Sequence, residues 1–274
     1  MESSSELALV WPPDGPEPGA SLRVSLAWGV ETHQGLQAAI NTDYYLLGRF
    51  QRGMQTLATN MPRGSMPDEH GEAAYGVVLA DGIGHARMSE VASRTAVATL
   101  VDLVLGTPDW ILRVDDVFRK RVTGRMGARM RWVDNFLAER RDEMPAFRQT
   151  GATLTGVIIH ARDLLIAHVG RSRVYHWRAG QLTQLTTDHE RALALGAAHG
   201  DLAVDLVHRR LEDGDRVVLC TDGLVESVPD AALAAMLEAE SEPQAAAGAI
   251  INRAVKGGAP DDVTAIVLHY HIAA

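Results

Sequence analysis

Asp81 and Asp222 share a setting that chemistry can use. Each follows an apolar run rich in β-branched residues, Tyr75-Gly76-Val77-Val78-Leu79-Ala80 and Arg216-Val217-Val218-Leu219-Cys220-Thr221, and each is followed at once by glycine. Asp43 stands in Asn41-Thr42-Asp43, and Asp261-Asp262 comes just before another apolar run. A carboxylate at a strand end is held by rigid backbone, and a following glycine lets the chain turn or make a close approach. Several carboxylates brought to one place repel one another unless a cation neutralises them. An all-oxygen ligand set suits hard cations such as Mg2+ and Mn2+ rather than zinc. Two such ions can bind phosphoryl oxygens and supply hydroxide at neutral pH. Against this, Asp-Gly is a common turn dipeptide, and either copy taken alone reads as a turn. Composition and spacing by themselves lead to an α/β enzyme with a candidate metal site.

The elements that must position these aspartates are legible as period-two and period-3.6 patterns. Strands are expected at Tyr75–Ala80, Thr153–His160, Leu164–Val169, Arg173–Trp177, Arg216–Thr221 and Val263–His269, with a hairpin turn at Ala179-Gly180. Met126, Met130, Val133 and Leu137 make a helical stripe, as do Ala92, Ala96, Leu100 and Leu103. Ala231–Glu240 and Gln244–Val255 are alanine-rich and expected to be helical. The order is strands, two long helices, strands, then helices and a last strand, which indicates α+β layers rather than a βαβ repeat. The proline- and glycine-rich residues 1–20 read as a loose arm and residues 21–274 as one domain, while Asn60–Glu72 reads as a surface loop.

Taken in order, these segments resemble the type 2C metal-dependent protein serine/threonine phosphatases (PPM) of the bacterial type. Asn41-Thr42-Asp43 is similar to the family's early Asn-x-Asp element, and Asp81-Gly82-Ile83-Gly84 to its Asp-Gly-x-Gly metal motif. Gly151-Ala152-Thr153-Leu154, the hairpin Gly170-Arg171-Ser172-Arg173, Leu185-Thr186-Thr187-Asp188-His189, Asp213 to Gly223 and Asp261-Asp262-Val263-Thr264 follow in the family's order. Each motif is weak alone, but their collinearity from about Ser25 to Tyr270 is specific.

The resemblance implies a four-layer αββα sandwich, two antiparallel β-sheets flanked by helix pairs, with two Mn2+ or Mg2+ ions in a cleft at one end. Carried over residue by residue, Asp81, Asp222 and Asp261 would ligate one ion, and Asp43, Asp81 and the backbone carbonyl of Gly82 the other. Asp81 would bridge the two and hold the water or hydroxide that attacks phosphorus directly. His85, in Asp81-Gly82-Ile83-Gly84-His85-Ala86, could give a proton to the leaving oxygen, or it could simply cap the helix that follows. That stretch is nearer the family's sporulation and stress-response branch than its other bacterial members.

Besides that stretch, two positions depart from the pattern. Arg171 replaces an aspartate that in the family helps hold a third, weaker metal ion, and arginine stays protonated and cannot be a metal ligand. Arg171 could stand in for that cation or bind substrate phosphate, or it could be a solvated hairpin residue. Ala38 occupies the place of a phosphate-binding arginine, leaving Arg49, Arg52, Arg87 and Arg171 as candidates for that task.

Composition sets the outer bounds. With 274 residues, 46% hydrophobic and 22% charged, the chain can build a large core. A formal charge of -9 gives no drive towards nucleic acid or anionic membrane, and the single cysteine, Cys220, excludes an internal disulfide framework and cysteine-rich zinc sites. No apolar run spans a bilayer. The expectation is a cytoplasmic, monomeric protein phosphatase that hydrolyses phosphoserine or phosphothreonine of a phosphorylated protein substrate and opposes a serine/threonine kinase. The alternatives are a catalytically weak or inactive relative acting as a regulatory phosphoprotein-binding module, and a phosphatase for a small metabolite.

Overall fold

From Val24 the chain runs through β1 (Val24–His33), β2 (Tyr44–Gln55), β3 (Glu69–Ala80) and the short β4 (Gly82–Ile83) into helices α1 (Ala86–Leu105) and α2 (Asp116–Glu143). It continues through β5 (Gly151–Ala152), β6 (Leu154–His160), β7 (Asp163–Val169), β8 (Arg173–Arg178), β9 (Gln181–Gln184), β10 (Asp205–Arg210) and β11 (Arg216–Cys220). Helices α3 (Asp222–Ser227), α4 (Asp230–Ala239) and α5 (Pro243–Lys256) lead to the last strand, β12 (Val263–Ile272). The structure, a computed structural model, describes residues 24–58, 60, 69–84, 86–106, 116–190, 194–196 and 202–272. The expected arm at residues 1–20 lies outside them.

Two five-stranded antiparallel sheets result, in the orders β10-β7-β6-β3-β2 and β1-β12-β11-β8-β9. Strand β3 shows how sequence alternation becomes layering. Val78 and Ala80 point outward beneath α1 and α2, packing with Ala96, Leu100, Met126 and Met130. Val77 and Leu79 point inward and meet Val217, Leu219, Ile266 and Leu268 of the facing sheet. On the far side, Val218, Cys220, Ala265 and Val267 pack under α3 to α5 through Leu224, Leu233, Ile250 and Ile251. Three buried layers therefore separate four structural ones, in an αββα sandwich. Central strands buried on both faces lose the polar alternation of a half-exposed strand, which is why they read as unbroken apolar runs. Burying each such Val, Leu or Ile contributes about 1.5–3 kcal/mol, so these strands make stiff supports for what hangs from their ends.

Local signals agree with the boundaries. Pro243 opens α5, where its fixed φ and missing N–H cost nothing, and Gly258 at φ 80° closes it. Ala179 and Gly180, at φ 49° and 83°, make the two-residue turn between β8 and β9. Two expectations need correction. Strand β3 begins at Glu69, so Glu69–Glu72 is not loop; it pairs with the outer half of β2, from Gln55↔Glu69 to Arg52↔Glu72. Asp222-Gly223 is not a turn either, but the first turn of α3.

Candidate functional site

Strand register brings the aspartates to one end of the sandwich. Tyr44 pairs with Ala80, so Asp43, just before β2, sits beside Asp81, just after β3. Cys220 pairs with Ala265, which sets Thr221 and Asp222 beside Asp262 and Thr264. Leu154 pairs with Val169, bringing the Gly170-Arg171 hairpin to the same end. The glycines after the two strand-end aspartates serve close approach by the chain itself. A Cβ on Gly82 would collide with the Ser89 carbonyl at the start of α1, and one on Gly223 with the Asp262 carbonyl. An open cleft of about 500 Å³ results, lined among others by Thr42, Asp81, Gly82, Arg171, Asp222 and Asp261.

The carboxylates here fall into two kinds. Asp262 is saturated by the chain: Oδ1 accepts from the Gly35 N–H at 2.9 Å, and Oδ2 from the Thr42 N–H at 2.8 Å and the Thr42 hydroxyl at 3.2 Å. It braces the segment that carries Asp43. Asp43 is only half satisfied. Its Oδ2 accepts from the hydroxyls of Thr264 at 2.6 Å and Thr221 at 2.9 Å, while its buried Oδ1 has no hydrogen-bond donor among the described residues. Burial raises the Asp43 carboxyl to about 7 against the pull of those two hydroxyls, with Asp262 and Asp222 adding repulsion. Asp81 is held well above the ordinary carboxylate range, first by burial and then by the charges of Asp43, Asp222 and Asp261. Its backbone is fixed by reciprocal bonds with Thr153, the Asp81 N–H to the hydroxyl at 2.9 Å and the Thr153 N–H to the Asp81 carbonyl at 2.8 Å.

Arg171 lies in the cleft and not out in solvent. Its guanidinium is 3.2 Å from Asp222 Oδ2 and 3.0 Å from Glu226 Oε1. The hairpin behind it is braced by buried histidines. His168 Nε2–H donates to the Gly170 carbonyl at 3.0 Å, which leaves Nδ1 to accept from the Thr155 hydroxyl at 2.9 Å. That neutral form is enforced, since burial, followed by the neighbouring His189, pulls His168 down to about 4. The His189 N–H donates to the same Gly170 carbonyl at 2.8 Å.

Of the other expected residues, Asp261 lines the cleft and is exposed, and Ala38 lines it as well. His85 and the Arg52 side chain lie outside what the structure describes, and Arg87 is exposed. Arg49 sits over the Tyr75 ring on β2–β3, 5.9 Å from its centroid, and is not part of the cleft lining. Thr153 and Thr264 stand in motifs that the resemblance picks out but without a role, and Thr221 and Glu226 were not singled out by the sequence. Glu226 would have been, had Asp222-Gly223 been recognised as a helix start, because the two acids then lie one turn apart.

The fit of this donor set to divalent cations can be judged from the chain alone. A buried carboxylate oxygen without a donor, beside a second buried carboxylate raised by three acidic neighbours, is a polar deficit that a hard cation would fill. Among the described residues no three His, Cys, Asp or Glu side chains close to metal-ligand spacing. The residues fit Mn2+ or Mg2+ by chemistry, and the chain offers no soft or nitrogen-rich set here for zinc.

An αββα sandwich with strand-end carboxylates in a cleft at one end defines a type 2C phosphatase architecture. The Stage II sporulation protein E (SpoIIE) family matches residues 71–271, and the chain belongs to that family. The serine/threonine protein phosphatase PstP of Mycobacterium tuberculosis is 31% identical over 215 residues, covering 70% of this chain and 39% of PstP. The serine/threonine phosphatase stp of Listeria innocua is 26% identical over 227 residues, 72% of this chain and 84% of that protein. Among solved structures, the catalytic domain of PstP in complex with two manganese ions superposes with TM-score 0.69 at 26% identity, over 91% of this chain and 100% of that one. The chain thus spans about two fifths of full-length PstP. Among the described residues no helix is long and apolar enough to cross a membrane.

Proposed function

We propose that the chain is a metal-dependent phosphatase that hydrolyses phosphoserine or phosphothreonine on a protein partner, opposing a serine/threonine kinase. The observation that carries this reading is the pair of buried carboxylates Asp43 and Asp81, both raised by burial and by acidic neighbours, at the end of the sandwich where the acidic cleft opens. Asp81, Asp222 and Asp261 would hold one divalent cation, and Asp43, Asp81 and the Gly82 carbonyl a second. When bound, the two ions supply hydroxide at neutral pH and neutralise the phosphoryl oxygens. The chain's own part is positioning. Thr221 and Thr264 fix one oxygen of Asp43 and leave the other for a cation, and Thr153 fixes the backbone of Asp81. Arg171, on a hairpin stiffened by His168 and His189, is the one cationic side chain among the described cleft residues, and it pairs with the incoming phosphate in place of the arginine that Ala38 lacks. His85 is assigned the leaving-group proton.

One observation favours a second reading, a binding module with little turnover. Arg171 already engages Asp222, one of the carboxylates assigned to the metal. Hydrolysis of p-nitrophenyl phosphate and of a phosphothreonine peptide against Mn2+ concentration, for the wild type and Arg171→Asp, separates the two. Wild-type turnover that is lost in Asp222→Ala supports the enzyme. Turnover confined to Arg171→Asp supports a site held shut by its own arginine. Silence in both ends the catalytic reading.

A further inference from the structure

Arg171 divides one guanidinium between two carboxylates. Its Nη1 lies 3.2 Å from Asp222 Oδ2, and its Nη2 donates to Glu226 Oε1 at 3.0 Å. Asp222 and Glu226 stand one turn apart on α3, and all three residues line the cleft. The backbone is fixed on both sides of this bridge. Gly170, at φ 119°, leaves no room for a Cβ against Thr153, and the buried Ser172 hydroxyl lies 3.0 Å from that of Thr153. On α3, Gly223 packs against the Asp262 carbonyl, and the Ser227 hydroxyl donates to the Gly223 carbonyl at 2.8 Å. What can adjust is the Arg171 side chain, which is partly exposed in the cleft.

The grip on Asp222 is light. At the other end of β11, Arg178 places two nitrogens on the two oxygens of one carboxylate, Asp215, in the strong bidentate arrangement. Arg171 instead gives one nitrogen to Asp222, an acid assigned above to a divalent cation, and another to Glu226, which is not. Arginine cannot shed its proton, so a cation arriving at Asp222 meets a guanidinium that must withdraw rather than neutralise. The residue to which it can withdraw is already in contact with it, on the same helix and nearer solvent: Glu226 is 46% exposed and Asp222 10%.

We propose that Arg171 is a tethered counter-ion that Asp222 exchanges for a divalent cation, and that Glu226 is a positioning residue that receives the guanidinium and keeps it in the cleft for substrate phosphate. This exchange rests on the metal assignment of the proposed function, but its test needs no turnover. Calorimetric titration of the full chain with Mn2+ should show a binding step that Asp222→Ala abolishes. Arg171→Gln should tighten that step roughly tenfold, because no guanidinium has to leave. Glu226→Gln should weaken it roughly fivefold, the upper range for a partly exposed ion pair. Through-space charge alone would give the same two signs, but independently of each other. The exchange requires coupling, so in the Arg171→Gln background Glu226→Gln should leave Mn2+ affinity within about twofold. Should Arg171→Gln fail to unfold cooperatively, Arg171→Ala closes the same cycle. Equal effects of Glu226→Gln in the two backgrounds overturn the proposal, as does a step that Arg171→Gln fails to tighten or that Asp222→Ala fails to remove. Hydrolysis of p-nitrophenyl phosphate by the same proteins keeps the two readings apart. Coupled affinities without turnover uphold the exchange and end the phosphatase reading, whereas turnover with additive affinities does the reverse.

Discussion

Strand β11 carries a buried aspartate at each end, and the two live in opposite electrostatic worlds. Asp215, just before the strand, is 1% exposed, and Asp222, just after it, is 7% exposed. At the first end the chain brings its own counter-charge. Arg178 grips Asp215 with two bonds, Nε to Oδ1 at 2.7 Å and Nη2 to Oδ2 at 2.6 Å, and the Glu212 N–H adds a third at 2.7 Å. Burial alone would raise that carboxyl, but Arg178 and Glu212 outweigh it and hold Asp215 below its usual value. At the other end Asp222 meets Asp43, Asp81 and Asp261, and Asp81 is driven upward. Among the described residues a single arginine, Arg171, faces this group, and Glu226 shares its guanidinium. The fold neutralises its own acid at one end and gathers four acids around one arginine at the other, the end that, on the function proposed above, receives an ion.

The largest effect should come from the receiving end. Asp81→Asn keeps the shape and removes the central charge, and Mn2+-dependent hydrolysis of an aryl phosphate should fall roughly a thousandfold, about 4 kcal/mol of transition-state stabilisation. Asp215→Asn should leave the folded protein active. Comparable losses of specific activity in the two variants would erase the functional distinction between the ends.

Acid should separate the two ends in order. His168 is neutral in the fold, at about 4, whereas the unfolded chain takes up its proton near 6.5. Unfolded molecules therefore bind more protons between those values, and stability is full above pH 6.5 and drains as pH falls towards 4, by about 3 kcal/mol in all. The groups facing His168 are His189, Asp205 and Asp188, of which the first disfavours its charge and the others favour it. Asp215 has a depressed folded value, so its contribution is intact above the unfolded carboxylate range and is lost only at more acid pH. Urea midpoints from pH 7.5 to 4.5 should show a slope that flattens in His168→Asn. An unchanged slope would locate the acid sensitivity elsewhere.

Asp215→Asn comes next, with an expected cost of about 2 kcal/mol in the urea unfolding of the metal-free protein. Removing one partner of a fully buried pair costs about 3–5 kcal/mol, and Arg178, being partly exposed, recovers some solvation. A change within about 0.5 kcal/mol would mean that the Arg178 grip is ornamental.

How much of this contrast could be read beforehand depended on burial. Strands β3, β6, β7, β11 and β12 are covered on both faces, so Val77 to Ala80 or Val217 to Cys220 announce themselves as apolar runs ending in Asp-Gly or Thr-Asp-Gly. Strands β1 and β2 lie at sheet edges, and β1 faces solvent along much of its length, with Trp28 54% exposed. Their apolar signal is broken by Gly29, Gly48 and Gly53, and neither was recognised. Glu69–Glu72 looked like loop because charge and glycine dominate it, yet cross-strand pairing with β2 overrides that preference. The aspartates could be picked out by type and position. The hydroxyls of Thr221 and Thr264 on Asp43 could not, because their meeting depends on the Cys220↔Ala265 register, which lies in three dimensions and not in spacing.

The smallest effect is also the one whose sign decides the most. In metal-free protein, Asp81→Asn exchanges a buried carboxylate crowded by Asp43, Asp222 and Asp261 for a neutral amide of the same shape. If those acids are assembled at a cost that only a bound ion offsets, the variant should be more stable than the wild type by about 1 kcal/mol in EDTA, measured by urea unfolding at pH 7.5. Addition of Mn2+ should then reverse the ranking, because the wild type gains stability by binding and the variant gains little. The same chemical change at Asp215 should destabilise in both conditions, since there the lost charge had a partner. Opposite signs at the two ends of one strand, with Mn2+ inverting only one of them, would follow from charge accounting alone. A destabilised Asp81→Asn in EDTA would mean that Asp81 is held by bonds to the chain, and the cleft would then be a second structural network rather than a place prepared for ions.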